Sequence, residues 1–232
     1  MKKKLVVLSG AGMSAESGLK TFRDMGGLWE TYRVEEVATP EAWARNPQLV
    51  LDFYNVRRRQ AFEAKPNAGH MALAELEDAF EVQIITQNVD SLHEKAGSSR
   101  VLHLHGELSK VRSVSNPELI YDIGGEAVQW GDLAGDGGQL RPHIVWFGEM
   151  VPMIEPAADI CLNADIFVVV GTSLQVYPAA GLVDYAGEKV PKFVVDPHLP
   201  DYRFDVKNVE FIQKSAAEGL PLLAKRLKAQ YR

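Results

Sequence analysis

Short aliphatic runs alternate with amphipathic segments along most of this sequence. Five runs have the length and composition of strands buried on both faces of a sheet, at 5–8, 82–86, 101–104, 166–170 and 192–195. Helical spacing of apolar residues, or helix-start signals such as Thr39-Pro40 and Asn46-Pro47, marks the segments 40–44, 47–62, 67–80, 89–96, 179–187 and 216–230. Strands that alternate with helices predict an α/β fold built on a doubly wound parallel sheet.

The first aliphatic run ends in a glycine turn. Gly10, Gly12 and Ala15 match the G-x-G-x-x-G/A spacing of dinucleotide-binding folds. Ser14 is predicted to cap a helix with Glu16 in its first turn, and the free N–H groups of such a helix start favour an anion such as a pyrophosphate. On spacing alone, a tight strand-to-helix turn without a ligand explains the motif about as well.

The segment after this turn differs from that of an ordinary dehydrogenase. A second strand with an acidic residue at its tip is expected about 20 residues further on. Here that region, TFRDMGGLWETYRVEE, is polar and broken by glycine. We therefore expect a lobe inserted over the cofactor turn. The predicted division is a large Rossmann-like lobe of about 1–20, 68–108 and 141–232, and a small lobe of about 21–67 and 109–140.

Polar sequences follow the predicted strands, where ligands bind in doubly wound sheets. They lie at 10–12, 87–90, 105–106, 171–173 and 196–197. Because the carboxyl ends of parallel strands meet at one edge of the sheet, these five tips are expected to converge on one crevice.

Composition excludes several classes of function. A net charge of −6 provides no basic field for nucleic acid. A single cysteine, Cys161, excludes intramolecular disulfides and cysteine-only zinc sites. The apolar run near the N-terminus is too short for a signal peptide, and no segment has the roughly 18 apolar residues of a membrane span. A cytoplasmic protein without membrane contact is expected.

The motifs GAGMSAESGLKTFR, TQNVDSLHEKAG, LHLHGEL, VWFGE and GTSLQVYPAAGL occur in this order along the chain. In content and spacing they resemble the sirtuins, the NAD-dependent protein deacylases, over nearly the whole chain. The resemblance implies a Rossmann-type lobe, a smaller inserted lobe, and a cleft in which the co-substrate NAD meets an acyl-lysine peptide.

The catalytic positions follow from that resemblance. His105 matches the histidine that acts as general base on a ribose hydroxyl, a task suited to an imidazole with an ordinary pKa near 6.5. Gln87, Asn88 and Asp90 match the residues around the ribose and nicotinamide, and we assign Asn88 to the catalytic pair with His105. The alternatives are a strand-end histidine without catalytic function, and helix capping by Asn88 or Asp90.

The remaining cofactor positions also follow from the resemblance. Phe22 and Arg23 close the cofactor loop, and Asp196 stands where many members have Asn. The other predicted cofactor contacts are Gly10, Ala11, Gly12, Ala15, Glu16, Gly171, Thr172, Ser173 and Ala216.

Most sirtuins hold a structural zinc with two Cys-x-x-Cys pairs after the catalytic histidine. The matching stretch, 109–140, has no cysteine and contains six glycines. No zinc is therefore expected in this remnant of the zinc ribbon. His103 and His105 share one side of a strand, but no further ligand is evident and no metal is predicted. We expect a hairpin around 119–123 and packing by Val111, Leu119, Ile120, Tyr121 and Trp130.

The acyl pocket is predicted from Tyr54 and Arg57, three residues apart on one helical face. This Tyr-x-x-Arg pair marks the sirtuins that remove succinyl and malonyl groups, and Ala38 is the small residue that leaves room for the longer acyl chain. Alternatively, Tyr54 packs in the core and Arg57 joins a solvated basic cluster with Arg58 and Arg59.

An extended substrate peptide is expected to pair with the VWFGE segment through Val145, Phe147, Gly148 and Glu149. The sequence therefore predicts a monomeric NAD-dependent desuccinylase and demalonylase that also accepts acetyl-lysine and whose partners are acyl-lysine proteins or peptides. The alternatives are an ADP-ribosyltransferase and a catalytically silent NAD-binding module.

Overall fold

Six parallel strands form the central sheet of the computed structural model, which describes residues 2–19, 32–198 and 207–231. The strands are β1 (Lys4–Ser9), β2 (Glu81–Thr86), β3 (Val101–His103), β7 (Ile166–Val170), β8 (Lys192–Val195) and β9 (Val209–Ile212). Their order across the sheet is β3-β2-β1-β7-β8-β9. The five predicted strands and the doubly wound α/β architecture are confirmed, whereas β9 was not predicted.

A second, antiparallel sheet has the order β5-β4-β6. Its strands are β4 (Gly106–Ser113), β5 (Ile120–Asp122) and β6 (Leu140–Ile144). β5 occupies the middle of the predicted hairpin at 119–123 and pairs with β4. β4 and β6 enclose most of the glycine-rich stretch and were not predicted.

Seven α-helices connect or cover these sheets in the described ranges. They are α1 (Val34–Val37), α2 (Pro40–Arg45), α3 (Pro47–Glu63), α4 (Ala68–Leu76), α5 (Leu92–Lys95), α6 (Ile154–Leu162) and α7 (Ala216–Tyr231). Thr39 and Asn46 cap α2 and α3 as their proline-containing start signals predict. None of the helices in the described ranges is long and apolar enough to cross a membrane.

Three predicted helices are shorter or tighter than expected. The segment 89–96 contains only α5, and 179–187 forms a 3₁₀ helix at Ala179–Tyr185. The glycine turn leads into two 3₁₀ turns, Ala11–Met13 and Ala15–Ser17, and the Ser14 side chain makes no capping hydrogen bond. The prediction of a Ser14-capped α-helix is therefore wrong, because the Ser14 hydroxyl is engaged by side chains described below.

Apolar clusters cover both faces of the central sheet. On one face, side chains of β1, β2 and β7 pack against α4 and α7; on the other, they pack against α6 and Ala179–Tyr185. A third cluster joins α1, α2 and α3 to β4 and β6 through Leu108, Ile144 and Trp146. This third cluster places the helices α1–α3 beside the strand that begins at Gly106. The lobe boundaries given above stay a prediction.

The antiparallel sheet is held by a smaller apolar cluster than the sequence suggested. Val111 is fully buried and packs with Leu51 of α3 and Val128. By contrast, the side chains of Ile120, Tyr121 and Trp130 are exposed. The prediction that these three would form a core is wrong. Ile120 and Tyr121 lie on β5, a short strand at the edge of the antiparallel sheet, and Trp130 stays exposed although its ring lies 6.1 Å from that of Trp43.

Candidate functional site

The predicted strand tips meet at one edge of the central sheet. The Gly10 amide donates to the Val170 carbonyl at 3.0 Å, which joins the ends of β1 and β7. The Gln87 side-chain amide donates to the Thr172 hydroxyl at 3.0 Å and links the end of β2 to the end of β7. The residues after β1, β2 and β7 therefore form one continuous polar surface.

Close backbone packing explains the glycines of the first turn. The Gly12 amide donates to the Gly171 carbonyl at 2.8 Å, and a Cβ at Gly12 would lie 2.7 Å from the Gly171 Cα. Within the described ranges, the backbone N–H groups of Ala11, Ala15 and Glu16 have no hydrogen-bond acceptor. Free N–H groups at such a turn are the donors that a pyrophosphate requires, so this turn fits the anionic part of a dinucleotide.

Ser14 connects the glycine turn to the residues after β2. Its hydroxyl accepts a hydrogen bond from the Asn88 side-chain amide at 3.1 Å and donates one to the Asp90 carboxylate at 3.0 Å. Both partners are buried. From its sequence position, Ser14 was predicted only to cap a helix. Its hydroxyl instead fixes Asn88 and Asp90 relative to the glycine turn.

Asp90 is bound at both of its carboxylate oxygens. The oxygen that does not contact Ser14 accepts from the Leu92 amide at 3.1 Å, while the N-cap of α5 is Ser91, whose side chain makes no capping hydrogen bond. Burial raises the pKa of Asp90, although hydrogen bonds from Leu92 and Ser14 oppose that shift. A buried carboxyl group beside the Asn88 amide presents polar atoms for orienting a flat amide-bearing ring.

His105 follows β3 directly and is fixed through one ring nitrogen. Its Nδ1 lies 3.0 Å from the Gln87 carbonyl, which is an acceptor and so selects the Nδ1–H form. Within the part of the chain that the structure describes, Nε2 has no hydrogen-bond partner. Burial lowers the pKa of His105, so the ring is neutral near pH 7 and Nε2 carries a lone pair. This is the state that a general base requires.

Gly106 permits the chain to turn immediately after His105. It has a φ of +80°, and a Cβ there would lie 2.0 Å from the His143 carbonyl oxygen. No other residue type fits this position without displacement of β6.

His103, two residues earlier, makes different contacts from His105. Its Nδ1 lies 3.0 Å from the Asn88 carbonyl and its Nε2 lies 2.8 Å from the Glu94 carboxylate. Among the residues that the structure describes, no group of three or more His, Cys, Asp or Glu side chains is arranged to hold a metal ion.

The far end of the glycine turn contacts the last helix. The Glu16 carboxylate accepts from the Ala217 amide at 2.9 Å, in the first turn of α7, and Ala216 is buried. Ser173 and Asp196 follow β7 and β8 as predicted, and Asp196 accepts from the His198 amide at 2.9 Å. The predicted contacts Phe22 and Arg23 lie outside the described residues.

The residues of the predicted acyl pocket lie on α3 and on the chain just before α2. Ala38 and Tyr54 are buried in the same apolar cluster as Trp146. The Arg57 guanidinium stacks 5.5 Å from the ring centre of Phe53. Burial lowers the pKa of Arg57, while the nearby Tyr54 and Asp90 oppose that shift. The side chain that is buried in the three-arginine run is Arg58, at 1% exposure, which excludes a fully solvated cluster at 57–59.

The VWFGE segment bridges the two sides of the site. The Val145 amide donates to the His105 carbonyl, and the Phe147 amide donates to the Ala38 carbonyl, each at 3.0 Å. Phe147 and Gly148 are exposed, and Gly148 has a φ of +90°. The segment thus runs from the proposed base to the proposed acyl pocket.

Glu149, the last of the predicted peptide contacts, is engaged inside the protein. Its carboxylate pairs with Arg141 at 2.8 Å and accepts from the Trp146 amide at 2.7 Å. Burial opposes ionisation, but these contacts lower the pKa of Glu149 overall. A direct contact between Glu149 and a peptide stays a prediction.

Comparisons with known proteins agree with this geometry. The Sir2 family model matches residues 10–178. Similar proteins include the NAD-dependent protein deacylases of Bacteroides thetaiotaomicron (55% identical, covering 97% of this chain and 98% of the relative) and Escherichia coli K12 (43% identical, 98% and 85%). A crystal structure of a Sir2 homolog–NAD complex superposes with a TM-score of 0.88 at 37% identity, covering 100% of this chain and 91% of the other. A Sir2 complex with a deacetylated p53 peptide and 3′-O-acetyl ADP-ribose superposes with a TM-score of 0.78 at 27% identity. The match covers 99% of this chain and 94% of the other.

Proposed function

The chain belongs to the Sir2 family, and we propose that it is an NAD-dependent protein-lysine deacylase that transfers the acyl group to ADP-ribose. The observation that carries this proposal is the neutral His105, fixed at Nδ1 and open at Nε2, at the edge where the strand tips meet. The names of its relatives and the NAD complex of a similar structure support the same activity.

Each part of the site has a task in this reaction. When bound, NAD supplies the ribose carbon at which nicotinamide is exchanged for the acyl oxygen. The free N–H groups of Ala11, Ala15 and Glu16 bind the phosphates. Asn88 and Asp90, fixed through Ser14, orient the nicotinamide. His105 accepts a proton at Nε2 from a ribose hydroxyl, so that this oxygen can attack the acyl carbon.

We further propose that the enzyme favours acyl groups that end in a carboxylate. Burial raises the pKa of Tyr54 to about 12, so its phenol stays protonated and can donate a hydrogen bond. Arg57 lies close enough for its charge to act on Tyr54 and can donate two parallel hydrogen bonds to a carboxylate. A partly buried guanidinium beside a neutral phenol suits a succinyl or malonyl end, while acetyl-lysine brings no carboxylate to this pair.

Substitution of Arg57 tests this acyl preference. Arg57→Met should lower kcat/KM for a succinyl-lysine peptide by roughly 100-fold, because a charge-assisted pair contributes about 3 kcal/mol. Activity on an acetyl-lysine peptide of the same sequence should change by less than about threefold. Arg59→Met, at an exposed position of the same helix, is the matched control. Equal losses on both peptides would assign Arg57 to the fold.

The activity itself is tested by incubating the protein with NAD and a succinyl-lysine peptide. Nicotinamide, acyl-ADP-ribose and the free-lysine peptide should appear in equal amounts, and His105→Ala should abolish all three. Labelled ADP-ribose on protein without deacylated peptide would favour an ADP-ribosyltransferase. NAD binding by calorimetry without turnover on any acyl-lysine peptide would identify a silent binding module.

A further inference from the structure

Three consecutive carbonyl groups after β2 are bound by the segment that contains the two histidines. His105 Nδ1 lies 3.0 Å from the Gln87 carbonyl, and His103 Nδ1 lies 3.0 Å from the Asn88 carbonyl. The Leu108 amide donates to the next carbonyl, that of Val89, at 2.8 Å. We call residues 87–90 the QNVD loop. Of the three contacts that this segment makes with backbone carbonyls of the QNVD loop, two come from imidazole rings.

The two rings differ in what their second nitrogen meets. A backbone carbonyl and an ionised carboxylate can only accept hydrogen bonds. Because His103 contacts the Asn88 carbonyl with one nitrogen and the Glu94 carboxylate with the other, both nitrogens must donate, and the ring is an imidazolium. His105 has an acceptor only at Nδ1 among the described residues and is neutral.

We propose that His103, held as an imidazolium between Glu94 and the Asn88 carbonyl, is a positioning residue that fixes the QNVD loop for the nicotinamide end of NAD. The Asn88 side chain bonds to Ser14, and Asp90 bonds to the same hydroxyl, so a shift of the Asn88 carbonyl displaces both. This inference rests on the proposed function.

The surroundings of His103 favour the charged ring. Its side chain is 7% exposed, and burial opposes the charge. The hydrogen bond and the charge of Glu94, with a further contribution from Glu107, outweigh burial and raise the pKa of His103. Asp90 and His93 also feel its charge, and burial lowers the pKa of His93 so far that this neighbour is uncharged.

The pH dependence follows from the direction of that shift. A raised pKa means that the imidazolium is complete below the ordinary value of 6.5 and is lost as the pH rises through the folded-state value. Loss of the proton leaves an Nε2 lone pair facing the Glu94 carboxylate, which repels it. The KM for NAD should therefore rise at the alkaline end of the pH profile.

Two substitutions separate the two contacts of His103. His103→Asn keeps a donor near the Nδ1 position for the Asn88 carbonyl, whereas His103→Gln places its amide near the Nε2 position, toward Glu94. We expect the KM for NAD to rise about tenfold in His103→Gln, with kcat changed less, and to recover in His103→Asn without the alkaline rise. Glu81→Gln, in an exposed ion pair at the opposite end of β2, is the control and should leave the KM unchanged. Equal KM values for His103→Asn and His103→Gln would overturn the proposal.

Proton-detected NMR of the unmodified protein tests the protonation state without any variant. With ¹⁵N-labelled histidine, the second ring proton of His103 should persist to a higher pH than in a free imidazole, whose pKa is about 6.5, and Glu94→Gln should remove this difference. Loss of the second proton at or below pH 6.5 would refute the inference even if deacylation occurs. A doubly protonated ring in a protein without turnover would instead count against the proposed function alone.

Discussion

The ionisation states of neighbouring histidines are set by the atoms that each ring meets. His103 meets two acceptors and is charged, while His105 meets one and is neutral. The deeper His93 is neutral because it is buried. Three histidines within 13 residues of sequence therefore have three different environments, and only His105 offers an open lone pair for proton transfer.

The pH profile of kcat/KM should report the ionisation of His105. Because burial lowers its pKa, the base form persists below pH 6.5, and activity should fall only as the pH drops through the lowered value. Initial rates with NAD and a succinyl-lysine peptide between pH 5 and 8 measure this limb. An acid limb centred above pH 6.5 would contradict the assignment of His105 as a neutral base.

Motifs predicted which side chains belong to the candidate site, but not the contacts that hold them. His105, Asn88 and Asp90 stand in recognisable sequence patterns. Ser14, which bonds to Asn88 and Asp90, lies in another part of the chain, and its contacts depend on how the two segments pack. Serine is a common helix-capping residue, so its local preference predicted a cap. In the structure the Ser14 hydroxyl instead bonds to side chains from another part of the chain.

The turn between β3 and β4 shows how an element boundary creates the site. β3 ends at His103 and β4 begins at Gly106, so the chain passes from the central sheet to the antiparallel sheet within two residues. β1, β7 and β8 were predictable because their aliphatic runs are buried on both faces. β4 alternates buried and half-buried positions, and β9 is partly exposed, so neither has a continuous apolar run.

Gly106 and Gly131 both have a positive φ, but only Gly106 has a neighbouring atom in the space that a Cβ would occupy. Alanine substitutions at the two positions therefore distinguish the cost of steric crowding from that of backbone strain. Gly106→Ala should destabilise the protein by roughly 3 kcal/mol or more, since the Cβ meets the His143 carbonyl as well as an unfavourable φ. Gly131→Ala, with a φ of +102° and open space around it, should cost only about 1 kcal/mol. Urea unfolding curves compare the two variants. Similar costs would show that β6 moves aside at Gly106.

Arg58 joins α3 to the antiparallel sheet. Its Nε donates to the Leu108 carbonyl at 2.6 Å, and its Nη1 donates to Asn55 at 2.6 Å and to the Glu126 carbonyl at 3.3 Å. Burial lowers the pKa of Arg58 to about 10, so it stays charged at neutral pH. Sequence spacing could not distinguish this arginine from its neighbours, because three consecutive arginines cover most of the helix circumference.

Removal of this guanidinium should weaken the packing of α3 against the antiparallel sheet. We expect Arg58→Ala to lower the free energy of unfolding by about 3 kcal/mol, because the Leu108 carbonyl would lose its charged donor in a buried site. Arg59→Ala, at an exposed position, should change it by less than about 0.5 kcal/mol. Thermal unfolding with hydrogen exchange of β4 measures both, and equal stabilities of the two variants would contradict the assigned bonds.

The bond between Glu16 and the Ala217 amide joins groups that are 201 residues apart. The glycine turn is made first during synthesis, yet its outer carboxylate obtains this partner only when the last helix has been translated. Without α7 packed against the central sheet, the Glu16 carboxylate has no such donor. The outer end of the glycine turn therefore reaches its final arrangement only when two segments from opposite ends of this sequence have come together.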